Sequence, residues 1–204
     1  YVRALCFQLF ESNGVMKRET VHQMLKNISK EDRLSLRKAG IKIGRYHIFL
    51  PRMLKPSAVD LRIKLWKLYF SEDKKYTIPK SGLNFLKDES IKNNKFLLIC
   101  GFENFGKFYI RVDILERLFL KIIENTKDKL FKIDSNMINL IGCSKENFLK
   151  LLGLMQYEPK KVKNSENDEF FTYKPKFIKN KKNNDKKKFN RDNPFDKLSE
   201  LRFR

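Results

Sequence analysis

Between residues 40 and 56 the chain reads GIKIGRYHIFLPRMLKP, and no long helix can run through it. Gly40 and Gly44 allow backbone conformations that other residues resist, while Pro51 and Pro56 each remove a backbone donor and fix φ. A short β element fits the segment: Ile41 and Ile43 alternate around Lys42, Gly44-Arg45 turns, and Tyr46, Ile48 and Phe49 continue toward Pro51. Four cations, Lys42, Arg45, Arg52 and Lys55, stand around the breaks, and a patterned helix holding the only Trp follows.

On the amino-terminal side, residues 1–10 read as a helix that SNG at 12–14 ends. A second helix is predicted from about Lys17 to Asn27, with Val21, Met24, Leu25 and Ile28 on one face. Ser29 with Asp32 forms an N-cap signature for a third, which carries Leu34 and Leu36 and closes at Gly40. After the break, Ser57 can cap a helix to about Tyr69. Its apolar stripe is Val59, Ile63, Trp66 and Phe70, and Arg62, Lys64 and Lys67 are expected to face solvent.

Residues 71–95 read as a linker. FLLICGFENFGKFYIR at 96–111 predicts a short helix or strand, a turn and an extended segment. Asp113 can cap ILERLFLKIIEN, whose Ile114, Leu115, Leu118, Phe119, Ile122 and Ile123 form a core face. There follow a short apolar run LFKI, a brief helix from Asp134 or Ser135 ended by Gly142, a helix capped by Ser144, and two extended segments flanking NSEN. Helix, short strand, helix, tight turn, helix and hairpin is the winged-helix order. The expected fold is therefore mainly α with small β elements. A basic helical module with a short β insert occupies 1–70, a connecting segment 71–107, a winged-helix-like module 108–173, and a Lys-rich tail 174–204.

Charge narrows the function. The 204 residues carry 45 basic and 24 acidic side chains, a net +21, which favours a polyanionic partner over an uncharged one. A surface loaded with Lys and Asn for compositional reasons alone is the competing explanation. Residues 172–191 hold nine basic side chains against one acidic, enough for an electrostatic arm without base readout. The candidate nucleic-acid contacts are Arg45, Arg52 and Lys55 on the glycine and proline turns, with Tyr46 and His47 beside them. Lys145 and Lys150, next to Asn147, are the polar candidates in the helix after Ser144, and Lys181, Lys182, Lys186, Lys187 and Lys188 are those of the tail. Core packing competes for Tyr46, and a structural role competes for His47. Phe195, Leu198 and Leu201 share a face at the carboxy terminus that could dock a protein partner.

No phosphate loop, dinucleotide glycine pattern or zincin motif is present, and neither His22 nor His47 stands at metal-ligand spacing, so no catalytic or metal-ligating residue is assigned. Cys6, Cys100 and Cys143 form no CxxC, which points to a reducing, cytoplasmic setting; Cys143 lacks a partner that would make it a nucleophile. No membrane contact is expected. The opening YVRALCFQLF begins in mid-helix character, as a piece of a longer protein would.

GIKIGRYHIFLPRMLKPSAVDLRIKLW at 40–66 resembles the region downstream of the motor domains in the alphaproteobacterial branch of superfamily II helicases related to the mitochondrial degradosome RNA helicase. ICGFENFGKFYIRVDILERL at 99–118, LIGCSKENFLKLLGLMQY at 140–157, the Lys-rich extension and NPFDKLSELRFR extend the resemblance in order along nearly the whole chain. The resemblance implies a carboxy-terminal accessory region without cofactors of its own. ATP and magnesium would belong to two RecA-like motor domains of the same parent chain. It favours RNA over DNA as partner, which the residues alone do not decide.

Overall fold

The computed structural model describes residues 1–70, 78–80, 82–87, 93–160 and 169–175. Contacts divide the chain into Tyr1–Lys174 and Pro175–Arg204, and all the described residues but Pro175 belong to the first unit. The architecture of that unit is mainly α with three small antiparallel sheets. Among the described residues no helix is long and apolar enough to cross a membrane.

The first segment opens with α1 (Val2–Glu11), which buries Leu5 and Leu9, one turn apart. Asn13 and Gly14, both with positive φ, turn the chain into β1 (Val15–Lys17). A 3-10 turn (Arg18–Val21), α2 (His22–Lys26) and α3 (Lys30–Lys38) follow, then β2 (Lys42–Ile43) and β3 (His47–Phe49). The single helix expected from Lys17 is thus replaced by a 3-10 turn and a short helix. The cause lies just upstream, where Val15, Met16 and Lys17 pair with Phe49, Ile48 and His47. The Ser29 cap is present, its hydroxyl accepting the Asp32 amide at 3.1 Å.

A second 3-10 turn (Pro51–Leu54) leads to α4 (Pro56–Phe70), β4 (Phe85–Lys87), α5 (Asn94–Ile99), β5 (Phe102–Phe105) and β6 (Phe108–Arg111). Helix α4 begins on Pro56, whose missing N–H costs nothing at a first helical position. Its Ile63 and Trp66 pack on Phe96, Leu97, Phe102 and Tyr109, so the stretch expected to be a connector supplies most of this core.

Arg62 corrects the expected polar face of α4. It is 1% exposed, and its guanidinium donates to the carbonyls of Met53 at 3.2 Å and Leu98 at 3.1 Å. Both carbonyls lie near helical C-termini, where a cation is favoured. Burial still pulls Arg62 down to about 10, and Cys100 beside it is pushed up to about 12 by its own burial.

The third segment comprises α6 (Val112–Glu124), β7 (Phe131–Lys132), α7 (Ser135–Ile141), α8 (Lys145–Leu154), β8 (Tyr157–Lys160) and β9 (Phe170–Tyr173). Asp134 caps α7, Gly142 ends it with φ +76°, and the Ser144 hydroxyl accepts the Asn147 amide. Asp113 is not a cap. The helix starts at Val112, and the Asp113 carboxylate takes two hydrogen bonds from Arg111 at 2.6 and 2.8 Å. Ile123, expected in the core, is half exposed. The loop containing NSEN lies outside the described residues.

The three sheets share one order, with the last strand in the middle: β1-β3-β2, β4-β6-β5 and β7-β9-β8. Val15 and Phe49 of the first segment pack with Val112 of the third, and Leu54 and Leu98 close around them. The segments are therefore joined by core as well as by chain.

Candidate nucleic-acid interface

The β2–β3 turn, GRYH at 44–47, lies against α6. Gly44 closes the turn by donating to the His47 carbonyl at 2.8 Å. Arg18 fixes it from outside, its guanidinium on the Gly44 carbonyl at 2.8 Å and its amide on the Tyr46 carbonyl at 2.7 Å. Three successive amides, of Arg45, Tyr46 and His47, then point the same way. All three donate to the carboxylate of Glu116, at 2.6, 2.9 and 2.8 Å. Such a run of amides is an anion-binding concavity, and here a side chain of the same protein fills it.

His47 extends the contact. It is 1% exposed, with Nδ1 at 3.3 Å from Glu116 and Nε2 at 2.8 Å from Glu103 on β5, whose other oxygen accepts from Lys17 at 2.6 Å. The chain Lys17–Glu103–His47–Glu116 thus crosses all three segments. Above it the Tyr46 ring stacks on Phe119 with centroids 4.2 Å apart, and the Arg45 guanidinium stands 5.7 Å over Tyr46. Buried ionic groups persist when each is paired and hydrogen-bonded, and that condition is met here.

Burial is the largest single influence on His47 and disfavours its charge, yet hydrogen bonds and charges from Glu103 and Glu116 outweigh it, so His47 titrates above its ordinary 6.5. Burial likewise pushes both carboxyls up. His47 and Lys17 outweigh it at Glu103, as His47 and the three amides do at Glu116, so both titrate below their ordinary 4.5. The His47 contribution to stability is complete below pH 6.5 and is lost as pH rises through the folded-state value. The carboxylate contribution is complete above pH 4.5 and is lost as pH falls through their lowered values. Urea unfolding across pH is expected to show an alkaline loss of stability that His47→Gln removes. The same loss in both proteins would mean that His47 does not carry it.

Of the residues expected to meet nucleic acid, Tyr46 is half-buried and His47 fully buried, both engaged within the protein. Arg45, Arg52 and Lys55 are exposed, as are Lys145 and Lys150 on α8. Lys181, Lys182, Lys186, Lys187, Lys188, Phe195, Leu198 and Leu201 lie outside the described residues. Sequence reasoning missed Glu116, Glu103, Lys17 and Arg18. For Glu116 a signal existed: it stands four residues after Val112 and three before Phe119, a charged residue on an otherwise apolar helix face. The GFENFG stretch is the β5–β6 hairpin that carries Glu103. Among the described residues no group of His, Cys, Asp or Glu is placed to hold a metal ion.

Comparison of the chain with protein-family models, with curated proteins and with solved structures finds no match.

Proposed function

We propose that the chain is a non-catalytic, nucleic-acid-binding and bracing region of an ATP-dependent superfamily II helicase, built from three winged-helix-like modules at 2–49, 56–111 and 112–173. The observation that carries this reading is the shared strand order, helix first and hairpin last, with the last strand central in each sheet. Helix-turn-helix relatives of that arrangement present a helix to nucleic acid. The net +21 charge supports a polyanionic partner, and the ordered blocks from GIKIGRYHIFLPRMLKP to NPFDKLSELRFR support a helicase parent. In this reading the GRYH turn is the brace, ATP hydrolysis belongs to motor domains elsewhere in the parent chain, and RNA is the favoured strand.

Fluorescence anisotropy with matched single- and double-stranded RNA and DNA at several salt concentrations tests it. Affinity is expected to fall with salt. Removing residues 174–191, with nine cations and one acid in 172–191, is expected to weaken binding to all sequences and flatten the salt slope. Absence of salt-sensitive binding to either polymer, or ATP turnover by this chain alone, would contradict the proposal.

One observation favours a second reading, a protein-docking module. Helix α4 exposes Leu61, Leu65, Leu68 and Tyr69. A partner that still binds after the nucleic-acid contacts are removed would support it.

A further inference from the structure

We propose that the folded body grips the phosphate backbone of a nucleic-acid strand mainly with the outer face of α3, through Lys30, Arg37 and Lys38, flanked by Lys26 and Lys42. The inference rests on the nucleic-acid function proposed for the chain and says which of the three modules makes the contact.

Helix α3 is unusually bare. Of its nine residues only Leu36 is buried. At about 100° per residue, Arg33, Arg37, Lys30, Leu34 and Lys38 occupy one continuous arc of roughly 140° that holds no acid. Asp32 falls on the far side of the helix, and Glu31 lies about 20° beyond Lys38, at the edge of the arc. Among the described residues Lys26, Lys30, Arg37, Lys38 and Lys42 make no ion pair, so the field of the arc is not neutralised from within. Arg33 is different, since its guanidinium donates to the Leu25 carbonyl at 2.7 Å and ties α3 to the end of α2.

Lys30 adds an independent argument. It is the first residue of the helix, where the helix dipole disfavours a cation. A charge placed against local stability fits a contact better than a fold requirement.

The other candidate surfaces carry less. The equivalent helix of the third module, α8, exposes Lys145 and Lys150 together with Glu146, Gly153 and Leu154. The amides of the GRYH turn are filled by Glu116. Lysine ammonium groups on a helix face are point charges suited to phosphates, and the Arg37 guanidinium matches a phosphate bidentately.

The test uses the full chain, a fluorescein-labelled RNA strand and its duplex, and a salt titration. The triple variant Lys30→Gln, Arg37→Gln, Lys38→Gln is expected to weaken binding about ten- to a hundredfold near 0.1 M salt and to reduce the salt slope by about 2 to 3. Arg37 and Lys38 favour the helix C-terminus, so Lys30→Gln alone serves as the second variant. Its loss relieves the helix, and its expected effect is a slope reduced by about 1 with the melting temperature unchanged or raised. Lys145→Gln with Lys150→Gln is expected to change little. Strong binding by the parent chain that survives both α3 variants would overturn the assignment and leave the nucleic-acid reading standing. No binding by the parent chain would overturn both.

Discussion

Glu116→Ala is expected to destabilise the folded chain by about 3–5 kcal/mol, which for a protein of this size lowers the melting temperature by roughly 10 °C. Glu116 is 7% exposed, and its carboxylate accepts three backbone amides as well as facing the His47 ring. Deletion leaves the buried His47 amide without an acceptor, at about 1–3 kcal/mol before relaxation, the part-buried amides of Arg45 and Tyr46 at less, and an imidazolium with one carboxylate in place of two. Water entering the space offsets part of that sum. Glu116→Gln keeps the shape but offers one acceptor oxygen to three donors, so it should fall between the parent and the alanine variant. Urea unfolding with an unchanged m-value reads the effect directly. A change within about 0.5 kcal/mol, the range of ordinary surface substitutions, would mean that the three amide contacts to Glu116 contribute nothing.

Gly44→Ala is expected to cost about 2–4 kcal/mol for a different reason, the loss of buried hydrogen bonds to a displaced side chain. Gly44 does not have the positive φ seen at Gly14, Gly40 or Gly101, so alanine meets no backbone strain there. Restricting the unfolded chain would even favour alanine by about 0.4–1 kcal/mol. The obstacle is steric: a Cβ on Gly44 overlaps the Glu116 carboxylate. The end of a glutamate usually swings aside at small cost, but this one is pinned by three amides and His47. Yielding to a methyl group therefore means giving up those hydrogen bonds.

What was legible in the sequence was local. The caps at Ser29 and Ser144 and the stop at Gly142 depend on neighbours within a turn, and the chain spells them out. The order of elements in 112–173 could be read for the same reason. Strand β1 could not, because three residues of it gain their meaning from β3 some thirty positions later. The stretch from Phe96 could be read only as a short helix or strand followed by a turn, because the partners of Phe96, Leu97 and Phe102 stand on α4. Arg62 reads as a surface cation until the carbonyls of Met53 and Leu98 converge on it.

The opening segment shows the same limit most sharply. Glycine, arginine, tyrosine and histidine in one turn read as a contact loop for phosphates and bases. The partner that fills the turn is Glu116, about seventy residues away, and nothing in GRYH itself names it. The expected contacts were side chains meeting a nucleic acid; what the turn holds is an internal carboxylate, and it holds it through backbone amides. The cationic α3 arc was overlooked because its charges are scattered among Glu31, Asp32 and Leu34 in sequence, and only the helical turn brings Lys30, Arg37 and Lys38 to one side.

The GRYH turn holds Glu116 through three amides and so ties the first segment to α6. The most direct measurement is the cost of Gly44→Ala determined twice by urea unfolding, in the parent chain and in the Glu116→Ala background. With the carboxylate gone the new methyl group has room, so the cost should shrink to within about 0.5 kcal/mol of zero, a coupling of about 2 kcal/mol or more between the two sites. An equal cost in both backgrounds would contradict the brace, because Gly44 would then be needed for something other than Glu116.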